Sequence, residues 1–204
     1  LSGTLLILSI GAVLMFVGGT GLQWFGLAGG LGVGAIAAAV LALPELVPYA
    51  TDRLASWRDP FADPLGEGHQ TIQSLYAIAS GGLAGLGLGN SRQKYLYVPE
   101  PQNDFIFSIL CEELGFLGAA LAVALFLALL LRGMSIAIRA RDKFGALLAV
   151  GFVVQVVLQA ILNIAVVTNT IPNTGISLPF FSSGGTSLLM LLGEMGIVLS
   201  VSRQ

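Results

Sequence analysis

LGFLGAALAVALFLALLL, residues 114–131, is followed at once by Arg132 and then by Arg139, Arg141, Asp142 and Lys143. Eighteen residues without a charge are about enough to cross a hydrocarbon core as a helix, and a cluster of cations at one end marks the side on which that helix stops. Two further stretches are uncharged, Gly3 to Pro44 and Phe144 to Gly193, and each is long enough for two spans. The pattern predicts an all-α, polytopic transmembrane bundle with five spanning helices, at about 4–17, 25–43, 104–131, 144–167 and 180–201. The whole chain, 1–204, reads as one membrane domain. Charged residues make up 10% of the chain and apolar residues 55%, and mean hydropathy is +0.89. Such a composition does not make a water-soluble surface. The net charge of −2 argues against nucleic-acid binding.

Four of the nine Lys and Arg residues fall in the 132–143 connection, which the positive-inside rule places in the cytoplasm. Residues 49–103 then form a large extracytoplasmic loop, and the break at 168–179, with Pro172, Gly175 and Pro179, lies on the same outer side. Within the loop, Gln70 to Leu88 is mildly apolar and too short to span, so it reads as interfacial or re-entrant. Some 55 non-spanning residues in so compact a membrane protein point to function. The chain opens on Leu1 inside an apolar run and reads as a fragment without its N-terminal part. The single Cys111 offers neither a disulfide nor a metal-ligand spacing and reads as a small apolar core residue.

Charges are scarce, so their placement is informative. Arg92, Lys94, Glu100 and Asp104 crowd the last part of the loop, just before the third span. Cations there suit a phosphate or pyrophosphate, or equally a lipid headgroup. Asp104 has two readings. As a helix N-cap it would satisfy the first amides of the span. As a general base it would be sharpened by desolvation against Phe105, Ile106 and Phe107. Glu112 shares a helical face with Asp104 and Ser108, and with Glu113 it either faces a wet groove or pairs with an arginine. Gln155, Gln159 and Asn163 form a second stripe at i, i+4, i+8, suited to interhelical hydrogen bonds or to the polar wall of a groove. Ser182-Ser183-Gly184-Gly185-Thr186-Ser187 opens the last span, where small residues leave backbone amides open to an anion or allow tight packing. Glu194 falls near the middle of that span. Gly85-Leu86-Gly87-Leu88-Gly89 lacks the βαβ context of a dinucleotide fingerprint.

These segments together resemble the SEDS proteins, the shape, elongation, division and sporulation group. The matching pieces are Asp59-Pro60-Phe61-Ala62-Asp63-Pro64-Leu65-Gly66, Gln70-Thr71-Ile72-Gln73-Ser74, and Gly87-Leu88-Gly89-Asn90-Ser91-Arg92-Gln93-Lys94. Pro99-Glu100, Asp104-Phe105-Ile106-Phe107 and Glu112-Glu113-Leu114-Gly115 continue the match. Pro172-Asn173-Thr174-Gly175-Ile176-Ser177-Leu178-Pro179-Phe180 and Gly184-Gly185-Thr186-Ser187 complete it. The Asn90–Lys94 wording is similar to the FtsW/SpoVE branch rather than to RodA. Two departures stand out: Gln102-Asn103 replaces the family's His-Thr before the aspartate, and Ser183 replaces the tyrosine of Ser-Tyr-Gly-Gly.

The resemblance implies the C-terminal five of ten transmembrane helices, in the bacterial cytoplasmic (inner) membrane with the active face outside. It implies a peptidoglycan glycosyltransferase that polymerises lipid II into glycan strands during division, growth or sporulation, with Asp104 as the catalytic residue. Arg92, Lys94 and Glu100, with Ser182, Gly184 and Gly185, would meet the substrate and its pyrophosphate. Glu112, Glu113, Gln159 and Asn163 would be groove-lining or structural. The implied partners are lipid II, the growing lipid-linked glycan, a class B penicillin-binding protein and other divisome or elongasome membrane proteins. The resemblance assigns no cofactor, with room for a divalent cation such as Mg2+ or Mn2+ beside the pyrophosphate; no metal ligand is assigned. The rival reading is a lipid II flippase, for which the stripe at Gln155, Gln159 and Asn163 would line the path. A third is a scaffold that only activates the penicillin-binding protein.

Overall fold

The computed structural model describes residues 2–42, 54–64, 66, 68–93 and 103–203. Its described elements are helices and turns: α1 (Ser2–Val17), α2 (Leu22–Ala42), a helical stretch at 54–58, a 3-10 turn at Pro60–Ala62, α3 (His69–Gly81), α4 (Ile106–Arg139), α5 (Lys143–Val167) and α6 (Gly185–Val201). The all-helical architecture follows the sequence. Among the described residues, α4 and α5 are long and apolar enough to cross a membrane, while α1 and α6 are shorter apolar helices.

The largest boundary differences fall in two places. α4 does not stop at 131 but continues through Arg132 to Arg139. An arginine at the end of an apolar run does not end a helix, because its long side chain carries the charge out to the interface while the backbone hydrogen bonds continue. The connection to α5 shrinks to residues 140–142, and the Asp142 carboxylate closes it by accepting from the Gly145 amide at 3.0 Å. The last helix begins at Gly185 and not at Phe180. Phe180 itself has φ 66, a left-handed conformation no helix admits.

α4 is broken at Gly115, with φ 68 and ψ −166. A break inside a membrane helix frees backbone groups that lipid cannot satisfy. Residues 82–87 satisfy them here. The amides of Leu86 and Gly87 donate to the carbonyls of Glu112 and Glu113 at 2.9 and 3.0 Å, and the amides of Phe116 and Leu117 donate to Gly82 and Leu83 at 2.8 and 3.2 Å. The two segments lie so close that a Cβ on Gly115 would collide with the Leu83 carbonyl and the Gly85 amide. The glycine-rich run after α3 is therefore the partner of the α4 break. Within the predicted loop, α3 packs along the first part of α4, and Ser74 donates to the Val167 carbonyl at 2.8 Å.

Two apolar clusters hold the long helices together. One gathers Phe105, Phe107, Cys111 and Phe126 of α4 and its approach, Val156 and Ala160 of α5, and Leu178 and Leu191. The other lies at the cationic end, with Ile136 and Ala137 against Ala149, Val150, Val153, Val198 and Val201. α1 rests on α5 there, with Leu14 over Gly151. Much of the remaining apolar surface is exposed: Leu117, Leu121 and Leu131 on α4 and Leu189 and Met190 on α6 are each more than 60% accessible. Helices with an outward-facing apolar side suit a lipid environment.

Candidate functional site

Asp104 precedes α4 by two residues. The position before the helix belongs to Phe105, which makes no side-chain cap. The cap position is thus one residue beyond Asp104, whose main chain is held by a tertiary contact. Phe105 and Phe107 are buried on either side of Ile106 and anchor the segment in the first apolar cluster. The Asp104 carbonyl accepts from Asn163 Nδ2 of α5 at 2.7 Å, and the same nitrogen donates to the Ile176 carbonyl at 2.6 Å. Gly175, with φ +63, lies against the Asp104 carboxylate: a Cβ built there would stand 3.3 Å from Oδ2.

The segment between α5 and α6 folds over this point. Ser182 Oγ accepts from the Leu178 amide at 2.7 Å and donates to the Asn103 carbonyl at 2.6 Å. Ser183 Oγ donates to Asn103 Oδ1 at 2.7 Å. Below them, Gln159 Nε2 donates to the Ser177 carbonyl at 3.0 Å. The result is a recess of about 310 Å3 lined by Asp104 and Asn103 on one side and by Ser177, Ser182, Ser183, Gly184 and Ser187 on the other. It combines one carboxylate with serine hydroxyls at the N-terminal end of α6, a lining suited to sugar hydroxyls.

A second, apolar groove of about 690 Å3 begins one turn along α4 from Asp104. Phe107, Cys111, Phe116 and Val123 of α4, Ile78 and Gly82 of the α3 region, and Thr168 are among its walls. Polar recess and apolar groove thus lie close together at one end of the bundle, the end opposite the Arg132–Lys143 cluster.

The remaining sequence candidates separate. Glu112 is 1% exposed, and its carboxylate meets a serine hydroxyl and backbone amides, not an arginine side chain. Its carboxylate accepts from the Ser91 hydroxyl, from the Arg92 amide at 3.1 Å and from the Gln93 amide at 3.4 Å. Glu113 Oε1 accepts from the Ser91 amide at 3.3 Å. The two glutamates thus tie the loop before the site to α4, and the Arg92 side chain stays exposed. Lys94 and Glu100 lie outside the described residues. Gln159 and Asn163 hold backbone carbonyls and are not an open wall; Gln155 donates to both Glu194 oxygens, at 3.1 and 3.4 Å. Gly184 lines the recess, and Gly185 begins α6 behind it. Among the described residues, no three His, Cys, Asp or Glu side chains come together.

Sequence reasoning passed over Gly175 and Ser177 as site residues. Both sit in the 168–179 break, which reads simply as a connection. The available signal was a serine and a glycine between two prolines on the side of the membrane already assigned to Asp104.

Comparison with known proteins matches residues 1–204 to the family model for cell cycle proteins FtsW, RodA and SpoVE. The chain is 49% identical over 191 residues to stage V sporulation protein E of Bacillus subtilis, which covers 94% of this chain and 51% of that protein. It is 40% identical over 203 residues to a probable peptidoglycan glycosyltransferase FtsW of Geobacter sp. strain M18, covering 99% of this chain and 54% of that one. A solved chain from a peptidoglycan synthase complex, described as coordinating polymerization and crosslinking, superposes with a TM-score of 0.74 at 35% identity. That match covers 100% of this chain and 55% of the other. The chain spans about half the length of the curated relatives it matches. With the family model matching from end to end, the chain belongs to the FtsW/RodA/SpoVE family.

Proposed function

We propose that the protein containing this chain is a peptidoglycan glycosyltransferase that polymerises lipid II on the outer face of the cytoplasmic membrane, and that Asp104 is its general base. The observation that carries the reading is the pairing of a carboxylate-bearing, serine-lined recess with an apolar groove that starts one turn away. A prenyl-linked sugar needs both. In the proposed step the 4-hydroxyl of lipid II's GlcNAc attacks C1 of the MurNAc on the growing chain. The new glycosidic bond forms as the C1–O bond to undecaprenyl pyrophosphate breaks, and the hydroxyl proton passes to Asp104. General-base assistance of this kind is worth about 10²–10⁴-fold. The leaving pyrophosphate takes its charge compensation from Arg92 and Lys94, and a divalent cation bound there would add to it. The prenyl chain lies along the apolar groove. Five spans, the outward-facing site and a class B penicillin-binding partner complete the proposal. The relatives named as peptidoglycan glycosyltransferases and the similar chain in a peptidoglycan synthase complex support it.

The flippase reading needs polar side chains open along a path through the bilayer. The amides of Gln155, Gln159 and Asn163 are instead engaged with Glu194, Ser177, Asp104 and Ile176, which favours the enzyme.

The test uses the full-length protein purified with a class B partner and given labelled lipid II in detergent. Wild type should form glycan strands on a gel, and folded Asp104→Asn should form none. Equal polymer from both would remove Asp104 from the chemistry.

A further inference from the structure

We propose that Asn163 is a positioning residue for glycan polymerisation, holding Asp104 and the 175–177 segment at one fixed separation so that base and acceptor hydroxyl meet. This rests on the assignment of Asp104 as the base. Asp104 stands two residues before α4, whose cap position is Phe105. Its carbonyl and the Ile176 carbonyl come from segments far apart in the chain, and one fully buried side-chain nitrogen bonds both, at 2.7 and 2.6 Å. The support is a stiff one. Asn163 sits on an unbroken helix, between Ala160 and Val167 of the apolar cluster. Gly175, next to Ile176, lies against the Asp104 carboxylate, so a shift of either carbonyl carries over to the carboxylate and to the recess wall at Ser177.

Two donors on one nitrogen, aimed at two carbonyls, are what Asn supplies and what Ser, Thr or Ala cannot.

A misplacement of the order of 1 Å at a reacting group costs about 10²-fold in rate. The full-length protein with its class B partner is assayed on labelled lipid II as Asn163→Ala and Asn163→Ser, beside Gln155→Ala and Asp104→Asn. Gln155→Ala removes a comparable interhelical hydrogen bond, to Glu194, away from the recess. Positioning predicts that Asn163→Ala lowers kcat about 10²-fold with KM within about threefold, and that Asn163→Ser keeps part of the rate. Gln155→Ala should lose a similar amount of thermal stability and keep its kcat. The inference is overturned if Asn163→Ala keeps its kcat, if its loss only tracks the folded fraction, if Gln155→Ala loses as much, or if neither Asn163 variant folds. Should Asp104→Asn polymerise like wild type, the assignment of the base falls and this inference with it. An inactive Asp104→Asn beside an active Asn163→Ala sinks the inference alone.

Discussion

Glu112→Ala should release the loop that precedes the site, and the size of the effect can be worked from its contacts. Glu112 is 1% exposed, so solvent does little to screen it. Its oxygens accept from the Ser91 hydroxyl, itself 1% exposed, and from the Arg92 amide at 3.1 Å; the 3.4 Å approach of the Gln93 amide adds little. Two hydrogen bonds to a buried carboxylate, each worth about 1.5–3 kcal/mol, sum to roughly 3–6 kcal/mol. Relaxation and the surviving bond from the Ser91 amide to Glu113 reduce the net to about 3 kcal/mol. That raises the open population of the loop about 10²-fold. Trypsin reads this directly. Arg92 is exposed but sits in a tied loop, and cleavage there needs the chain to open. The connection at Arg139 and Arg141, at the other end of α4, provides an internal reference in the same digest. Cleavage at Arg92 should rise about 10²-fold in Glu112→Ala while the reference stays constant, and Glu112→Gln, which keeps one acceptor oxygen, should show about a tenfold rise. Cleavage of Glu112→Ala at the wild-type ratio would refute the idea that this carboxylate anchors the loop.

The remaining predictions concern the backbone around the site. Gly115→Ala should fail to give a monodisperse folded protein on size exclusion, because φ 68 and two backbone collisions leave the side chain no room. Ser182→Ala removes both the acceptor for the Leu178 amide and the donor to Asn103, and should cost about 1–2 kcal/mol, seen as a lower thermal midpoint. Gly175→Ala should leave the protein folded at a cost of about 1–2 kcal/mol for its positive φ. By pressing on Asp104 Oδ2 it should lower polymerisation between about 10- and 10²-fold at constant KM; an unchanged rate would separate the 175–177 segment from the chemistry.

The helical framework was legible because membrane helices announce themselves by uncharged length, and α1, α4, α5 and α6 fall where those lengths place them. The edges were less so. Arg132 marks the end of an apolar run but not the end of a helix, since hydrogen bonding along α4 is indifferent to what the side chain does beyond the interface. The break at Gly115 was invisible for a related reason: glycine is common in membrane helices, and only the arrival of residues 82–87 shows that this one is nonhelical. Asp104 could be singled out by its position. Its surroundings could not, because they come from Asn163, Gly175 and Ser182, separated from it by 59 to 78 residues. The polar stripe on α5, Gln155, Gln159 and Asn163, is a pattern of spacing. A stripe says which face is used and not what it faces, and here it faces backbone more than side chains.

That last point ties the site to the physics of its solvent. A nonhelical segment such as 168–184 carries carbonyls and amides that no helix pairs, and protein side chains supply partners for several of them. Trp57 and Asn169 exchange hydrogen bonds at one end of it, Gln159 and Asn163 take the Ser177 and Ile176 carbonyls in the middle, and Ser182 takes the Leu178 amide at the other end. Each of these bonds also fixes the segment. The polar groups that make the connection tolerable are therefore the ones that hold a carboxylate, a glycine and a row of serines around one recess. A helical connection would have needed none of these partners and would have built no recess.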